Sequence, residues 1–311
     1  MENNLPWMMA GMLGAALILG GLLFTTRIRK TGGSVADALI PFLIGIPMAA
    51  LGGKLLYLTH NLGMDFRSWD AARLIRWDWE EISFVGCCAG FVFGIWIGAR
   101  IRRRETGETL DAFALPGCVM VCLARIGEYG IDSIGRGPFI EGGILSVFPF
   151  SVKDSWGDAC LAVFMMEAMT AAAVGIWILL RERKRGDFRG SFQRAVIALC
   201  AGQLFWEMLL TSWIPCVISF IHYEQVLCAI IAMWIIIRQC VREKRVWPAI
   251  AAAGCLILNG VTQYVQDKPY QFDWLLPAGT PVSTVARICF ALSAIGMMAA
   301  GIRSLQKRQE C

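Results

Sequence analysis

Histidine, acidic and basic side chains, and a basic leader are what this chain has least of, and each shortage removes a class of explanation. Only two of its 311 residues are histidine, His60 and His222, and neither stands at a spacing from another ligand that would recommend it as a metal site. Both read as interfacial side chains, and no cofactor or metal is implied. Charged residues make up 17% of the chain against 57% apolar, with apolar runs recurring from one end to the other, which excludes an ordinary water-soluble domain and a disordered one. The residues ahead of the first apolar run, Met1 to Pro6, carry Glu2 and no base, while the basic cluster follows the run, so the run reads as a permanent span and not as a cleavable signal. No disulfide framework is legible either: most of the twelve cysteines, including Cys87, Cys88, Cys118, Cys122, Cys200, Cys228, Cys255 and Cys289, fall inside apolar runs, where the thiol behaves as a small hydrophobe. Cys118 and Cys122 stand one helical turn apart, but no histidine or carboxylate is next to them, and packing is the reading.

What remains is an all-α polytopic membrane protein. Nine apolar segments approach the ~20 residues a bilayer requires: about Trp7 to Phe24, Ala38 to Leu58, Ile82 to Ile101, Leu110 to Leu123, Ala159 to Leu180, Val196 to Trp213, Ile218 to Ile237, Trp247 to Val265 and Val282 to Ile302, the fourth being short. Lysine and arginine follow every odd-numbered span: Arg27, Arg29 and Lys30; Arg100 and Arg102 to Arg104; Arg181, Arg183 to Arg185 and Arg189; Arg238, Arg242, Lys244 and Arg245; and Arg303, Lys307 and Arg308. That asymmetry sets the N-terminus outside and the C-terminus in the cytoplasm. The net charge of +5 is then mostly a topology signal, and nucleic acid need not be invoked. Two loops fall on the outward side, His60 to Glu81 and Glu128 to Asp158, with Trp69, Trp77, Trp79 and Trp156 suited to the bilayer interface.

The stretch Ala124 to Pro138, ARIGEYGIDSIGRGP, ends an apolar segment with two arginines and two carboxylates. A charged group at the centre of a bilayer costs about 2.5–3.5 kcal/mol even on the lenient insertion scale, so such groups usually line a polar path. Arg125 and Glu128, three apart, can neutralise one another on a helix face. Asp132 and Arg136 can instead cap a glycine-rich turn, Lys54 can snorkel, Tyr57 and Tyr129 can sit at the interface, and Glu167 and Glu207 can pair with buried hydroxyls or water.

The block Ile82 to Pro138, ISFVGCCAGFVFGIWIGARIRRRETGETLDAFALPGCVMVCLARIGEYGIDSIGRGP, resembles the central part of bacterial prolipoprotein diacylglyceryl transferase. In that family a segment M-S-F-H-G-G-L-x-G precedes a basic loop, then D-x-x-A-P, then G-R-x-G-N-F-x-N-x-E-x-x-G-R. The resemblance implies a phospholipid head-group role for Arg125 and matches Arg136 to the second signature arginine and Asp132 to the family glutamate; Glu128 stands where the family has asparagine. Upstream, GIPMAALGGKLLYLTHN aligns Lys54 with a family arginine and Tyr57 with its tyrosine, and downstream Glu167 falls at the Y-E pair. Val85 occupies the position of the family histidine.

The family's last helical pair has two counterparts. One runs over Ala201 to Ile237, with Gln203 for the arginine, then Glu207 and Gln225; the other runs over Asn259 to Ile302, with Gln263, Asp267 and Arg287. The chain therefore reads as a transferase-like core over 1–246 with an added, duplicated helix pair over 247–311.

The resemblance implies, at the bacterial cytoplasmic membrane, transfer of the diacylglyceryl unit of phosphatidylglycerol to the lipobox cysteine of a prolipoprotein signal peptide. Arg125 and Arg136 would hold phosphate, with Lys54, Tyr57, Gln203 and Glu207 around the substrate and Glu128, Asp132 or Arg136 in the chemistry. Glu128, His222 or the field of the arginines is left to activate the thiol. A catalytically weak relative that binds phospholipid or precursor, and more remotely a transporter, are the competing readings.

Overall fold

The computed structural model describes residues 6–61, 81–131, 135–140, 142–153, 157–210, 216–218, 221–268, 271–272 and 282–305. Among the described residues are nine long helices, α1 (Pro6–Lys30), α2 (Val35–Asn61), α3 (Phe84–Ile101), α4 (Thr106–Gly127), α5 (Val163–Arg185), α6 (Ser191–Glu207), α7 (Tyr223–Glu243), α8 (Trp247–Asp267) and α9 (Val282–Ser304). Eight of them, all except the 17-residue α6, are long and apolar enough to cross a membrane. Large apolar side chains on their faces stand open, among them Ile18, Leu22, Ile176, Leu180, Ile230 and Leu292. Contiguous apolar area of this kind is costly in water and natural against lipid. The protein is a multi-pass membrane protein.

The helices follow the apolar runs, with differences at the ends. The fourth segment, expected to be short, is a helix of 22 residues. The fifth does not begin at Ala159: Ala159–Ala162 is a strand, and the helix starts at Val163. The seventh likewise starts at Tyr223, with Ile218 in a strand. Hydropathy alone cannot separate a buried strand from the helix it runs into, because both are apolar. Trp69, Trp77, Trp79 and Trp156 lie outside the described residues.

By contacts the chain forms two compact units, Met1–Ala195 with Leu210–Trp213, and Val196–Leu209 with Ile214–Cys311. In the first, α1 packs on α4, α4 on α5, and α2 on α3. The α2–α3 contact is a seam of small residues. Gly86, Gly90, Gly94 and Gly98 recur every four residues on α3, and a Cβ at each would strike the α2 backbone: Gly52 O at 2.6 Å from Gly86, Gly45 Cα at 2.6 Å from Gly94, and still closer contacts to Met48 O from Gly90 and to Pro41 from Gly98. Lipid tails are as apolar as leucine, so helices in a bilayer associate through such close backbone packing. Pro41 and Pro47 inside α2 are tolerated in the same setting, where neighbouring helices support the interrupted ladder.

At one end of this unit, the basic end, aromatic rings of Phe24, Phe42, Phe91 and Phe113 interlock with Ile28 and Ile95. Ion pairs close the same end. Arg27, 6% exposed, meets both carboxylate oxygens of Glu182 at 2.7 and 2.6 Å, donates from Nε to Ala112 O, and lies 4.1 Å from the centre of the Phe188 ring. Ser34 and Asp37 cap α2 reciprocally, Asp37 N–H donating to the Ser34 hydroxyl and Ser34 N–H to the Asp37 carboxylate, while Arg102 pairs with Asp37 at 2.8 Å. Asp111 accepts from the Gly190 and Phe192 N–H groups, capping the start of α6.

The opposite end, the sheet end, carries a three-stranded antiparallel sheet of β1 (Arg136–Phe139), β2 (Ser151–Lys153) and β3 (Ala159–Ala162), with β3 central. In the second unit β4 (Cys216–Ile218) pairs with β5 (Ile221–His222), and α8 packs on both α7 and α9. The buried Cys118, Cys200, Cys228 and Cys240 are free thiols.

Candidate functional site

Three helices of the first unit converge on one guanidinium. Arg125 lies in the last turn of α4, which passes into a short 3-10 turn over Glu128–Gly130. That continuation keeps Glu128 one turn beyond Arg125, and Glu128 Oε1 meets Arg125 Nη1 at 2.7 Å. From the second turn of α5, Glu167 brings Oε2 to 2.8 Å from Arg125 Nε. The guanidinium plane rests on the Phe84 ring, 3.8 Å from its centre. Phe84 opens α3, whose start is fixed by the Ser83 hydroxyl accepting from Gly86 N–H.

All three ionic groups are at most 6% exposed. Glycines make the enclosure possible. A Cβ at Gly127 would meet Met9 of α1 at 2.9 Å, and one at Gly135, where φ is +74°, would meet Phe164 at 2.9 Å and the Glu128 carboxylate at 3.3 Å. The backbone leading into β1 therefore passes directly over Glu128.

Two carboxylates about one guanidinium leave the trio negative when all are ionised. The ionic pairing expected between Arg125 and Glu128 is present. Glu167, expected to pair with a hydroxyl or water, is instead the second partner of Arg125; an apolar run interrupted by one glutamate signals burial but not the identity of the counter-ion. Chemically, the arrangement holds two carboxylates beside one guanidinium.

The remaining candidates distribute as follows. Asp132 lies outside the described residues. Arg136 begins β1, opposite Ala162 at the foot of α5. Lys54 is 4% exposed and pairs with Glu81 at 3.3 Å, so it does not snorkel to water. Tyr57 is half-buried, three residues further along α2. Val85, at 8% exposure, is the residue after Phe84 and fills its place as packing.

Gln203 and Glu207 belong to the second unit. Glu207 is 1% exposed, accepts from Gln203 Nε2 at 2.9 Å, and stands 3.2 Å from His222 Nδ1. An ionised carboxylate only accepts, so in a contact with ionised Glu207 it is His222 Nδ1 that donates. The expectation that His222 has no partner is corrected: it is 9% exposed and meets a carboxylate. The cue was local. His222 precedes α7 and Gln225 follows three residues later, and the Gln225 side chain accepts from His222 N–H at 3.1 Å, as in a capping box. Gln225 also accepts from Gln263 of α8 at 3.1 Å, so the two helix pairs read as alternatives for one family pair share a buried amide chain.

No known protein-family model matches this chain, and no curated protein matches it.

Proposed function

We propose that the chain is a divergent phospholipid-using transferase of the diacylglyceryl type, with nine spans, the N-terminus outside, the sheet end facing outward and the whole in a bacterial cytoplasmic membrane. The observation that carries the reading is the Arg125 site itself: the residue aligned with the signature arginine is buried at the sheet end, backed by an aromatic face and flanked by acid groups. A guanidinium so placed suits a phosphodiester, whose oxygens it meets in pairs.

The reaction would join an acceptor cysteine sulfur to the terminal glyceryl carbon of the diacylglyceryl unit of phosphatidylglycerol. The C–S bond forms as the C–O bond to phosphate breaks, glycerol phosphate leaves with the bond's electron pair, and the thiol proton goes to a base. An incoming phosphate competes with Glu128 for Arg125. The Glu128 carboxylate released from that pairing then accepts the thiol proton. Arg136 and Lys54 stabilise the departing charge.

A second reading, a relative that binds phospholipid or lipoprotein precursor without turnover, is favoured by Val85 in place of a histidine and by the two carboxylates already on Arg125. One experiment separates the readings. Purified protein in phosphatidylglycerol vesicles is mixed with a lipobox peptide, and the peptide mass is followed. Gain of one diacylglyceryl unit, lost in Glu128→Gln, supports the transferase. Copurifying phosphatidylglycerol with an unchanged peptide supports the binding protein, and neither result sinks both.

A further inference from the structure

The sheet end of the first unit carries an apolar surface that the proposed reaction does not use. Phe139 is 68% exposed, Ile144 84%, Val147 62% and Phe148 62%. They belong to β1 and to the segment 142–150, which joins the sheet by way of a 3-10 turn over Ile144–Ser146. Four large apolar side chains in one short stretch of sequence, outside any spanning helix, require a covering medium.

The depth of this surface is set by its attachments. Tyr129 lies in the last turn of the apolar span Thr106–Gly130, where the chain leaves hydrocarbon. Its ring packs edge-on against Phe148, with centres 6.0 Å apart, and against Phe164 in the first turn of α5, at 6.5 Å. Phe150 O accepts from Ala162 N–H at 2.8 Å, and Ala162 immediately precedes α5. So the segment is tied at two points to residues that mark the ends of membrane-spanning helices. It cannot stand well away from the bilayer without breaking both ties.

We propose that Phe139, Ile144, Val147 and Phe148 form a monotopic contact that dips into the head-group region of the adjacent leaflet, with phospholipid as its partner. Interfacial elements bury their apolar side about 5–10 Å into the boundary between head groups and acyl chains, and aromatic rings favour that level. The contact lays the sheet against the membrane and fixes the height of β1, whose first residue is Arg136. It depends on the spans of α4 and α5 and not on the chemistry proposed for Arg125.

The test uses the full chain with a photoreactive diazirine amino acid at position 144 or 148, reconstituted in vesicles of phosphatidylethanolamine and phosphatidylglycerol and irradiated. The expected result is a mass increase of one phospholipid at both positions, and loss of the adduct at 144 when Phe148→Asp and Val147→Asp lift the segment. Adducts to a second copy of the chain, to an added lipobox peptide, or to water alone would overturn the proposal. Because this readout is independent of turnover, an inactive protein that still gives lipid adducts refutes only the transferase reading.

Discussion

Replacing Arg125 with alanine puts the buried trio to its hardest test. The substitution leaves Glu128 and Glu167, at 4% and 6% exposure, facing the space the guanidinium filled. Removing one partner of a buried ion pair costs about 3–5 kcal/mol, because the survivor keeps its desolvation without its attraction. Here two survivors remain and repel each other, so Arg125→Ala should fall at the upper part of that range. Against a total stability of roughly 5–15 kcal/mol, the change is large enough to lower both unfolding midpoint and abundance. The assay is denaturant unfolding in detergent micelles. Glu128→Gln and Glu167→Gln added to Arg125→Ala should recover most of the loss, since neutral amides no longer require the cation. A loss below about 1 kcal/mol, the worth of an exposed pair, would refute burial of the trio. So would a triple variant no more stable than Arg125→Ala. The same series bears on chemistry: Arg125→Lys keeps the charge but not the paired donors, and should retain folding while rescuing lipid transfer poorly.

Alanine normally stabilises an exposed helix interior over glycine by about 1 kcal/mol, so Gly11→Ala, with nothing near its Cβ, should be neutral or better, whereas Gly90→Ala should lower the unfolding midpoint because its Cβ meets Met48 O on α2. Glu182→Ala should cost about 3–5 kcal/mol by stranding Arg27, and Glu182→Gln clearly less, as read by the same unfolding titration. Reporter fusions after Arg104, Arg185 and Arg245 should signal cytoplasm and one at Gly143 the outer face; an external signal from Arg245 would sink the nine-span topology.

Helix existence was legible wherever hydropathy ran uninterrupted, as it does from Trp7 to Phe24, since a bilayer span needs little else. Helix ends were not, because Ala159–Ala162 is as apolar as the helix after it and is made a strand only by pairing with β1 and β2. The pairing of Arg125 with Glu128 followed from their spacing of three on one helix. Glu167 and Arg125 are far apart in sequence, and nothing in either neighbourhood names the other. His222 shows the converse failure: its partner Glu207 lies only 15 positions away, but no helical or strand period links the two positions. The glycines at 86, 90, 94 and 98 stand at helical spacing, but that spacing does not name the helix they meet, which emerges only from their contacts with α2.

That repeat carries an ambiguity of its own. A seam with a period of four residues resembles a toothed rack: sliding α3 by four residues, about 6 Å, sets each glycine near where its neighbour had been. Glycines alone therefore specify closeness but not alignment. Alignment has to come from features that do not repeat, and two of these stand at the ends, where Ser83 N–H donates to Gly53 O at 3.2 Å and Arg102 pairs with Asp37 at 2.8 Å. Phe84, one residue from the first of these pins, is the ring beneath Arg125. The position of the aromatic floor of the ionic trio is thus dictated at the far end of α3 as well as beside it, and a one-tooth slip would carry that floor away while leaving the two helices as tightly packed as before.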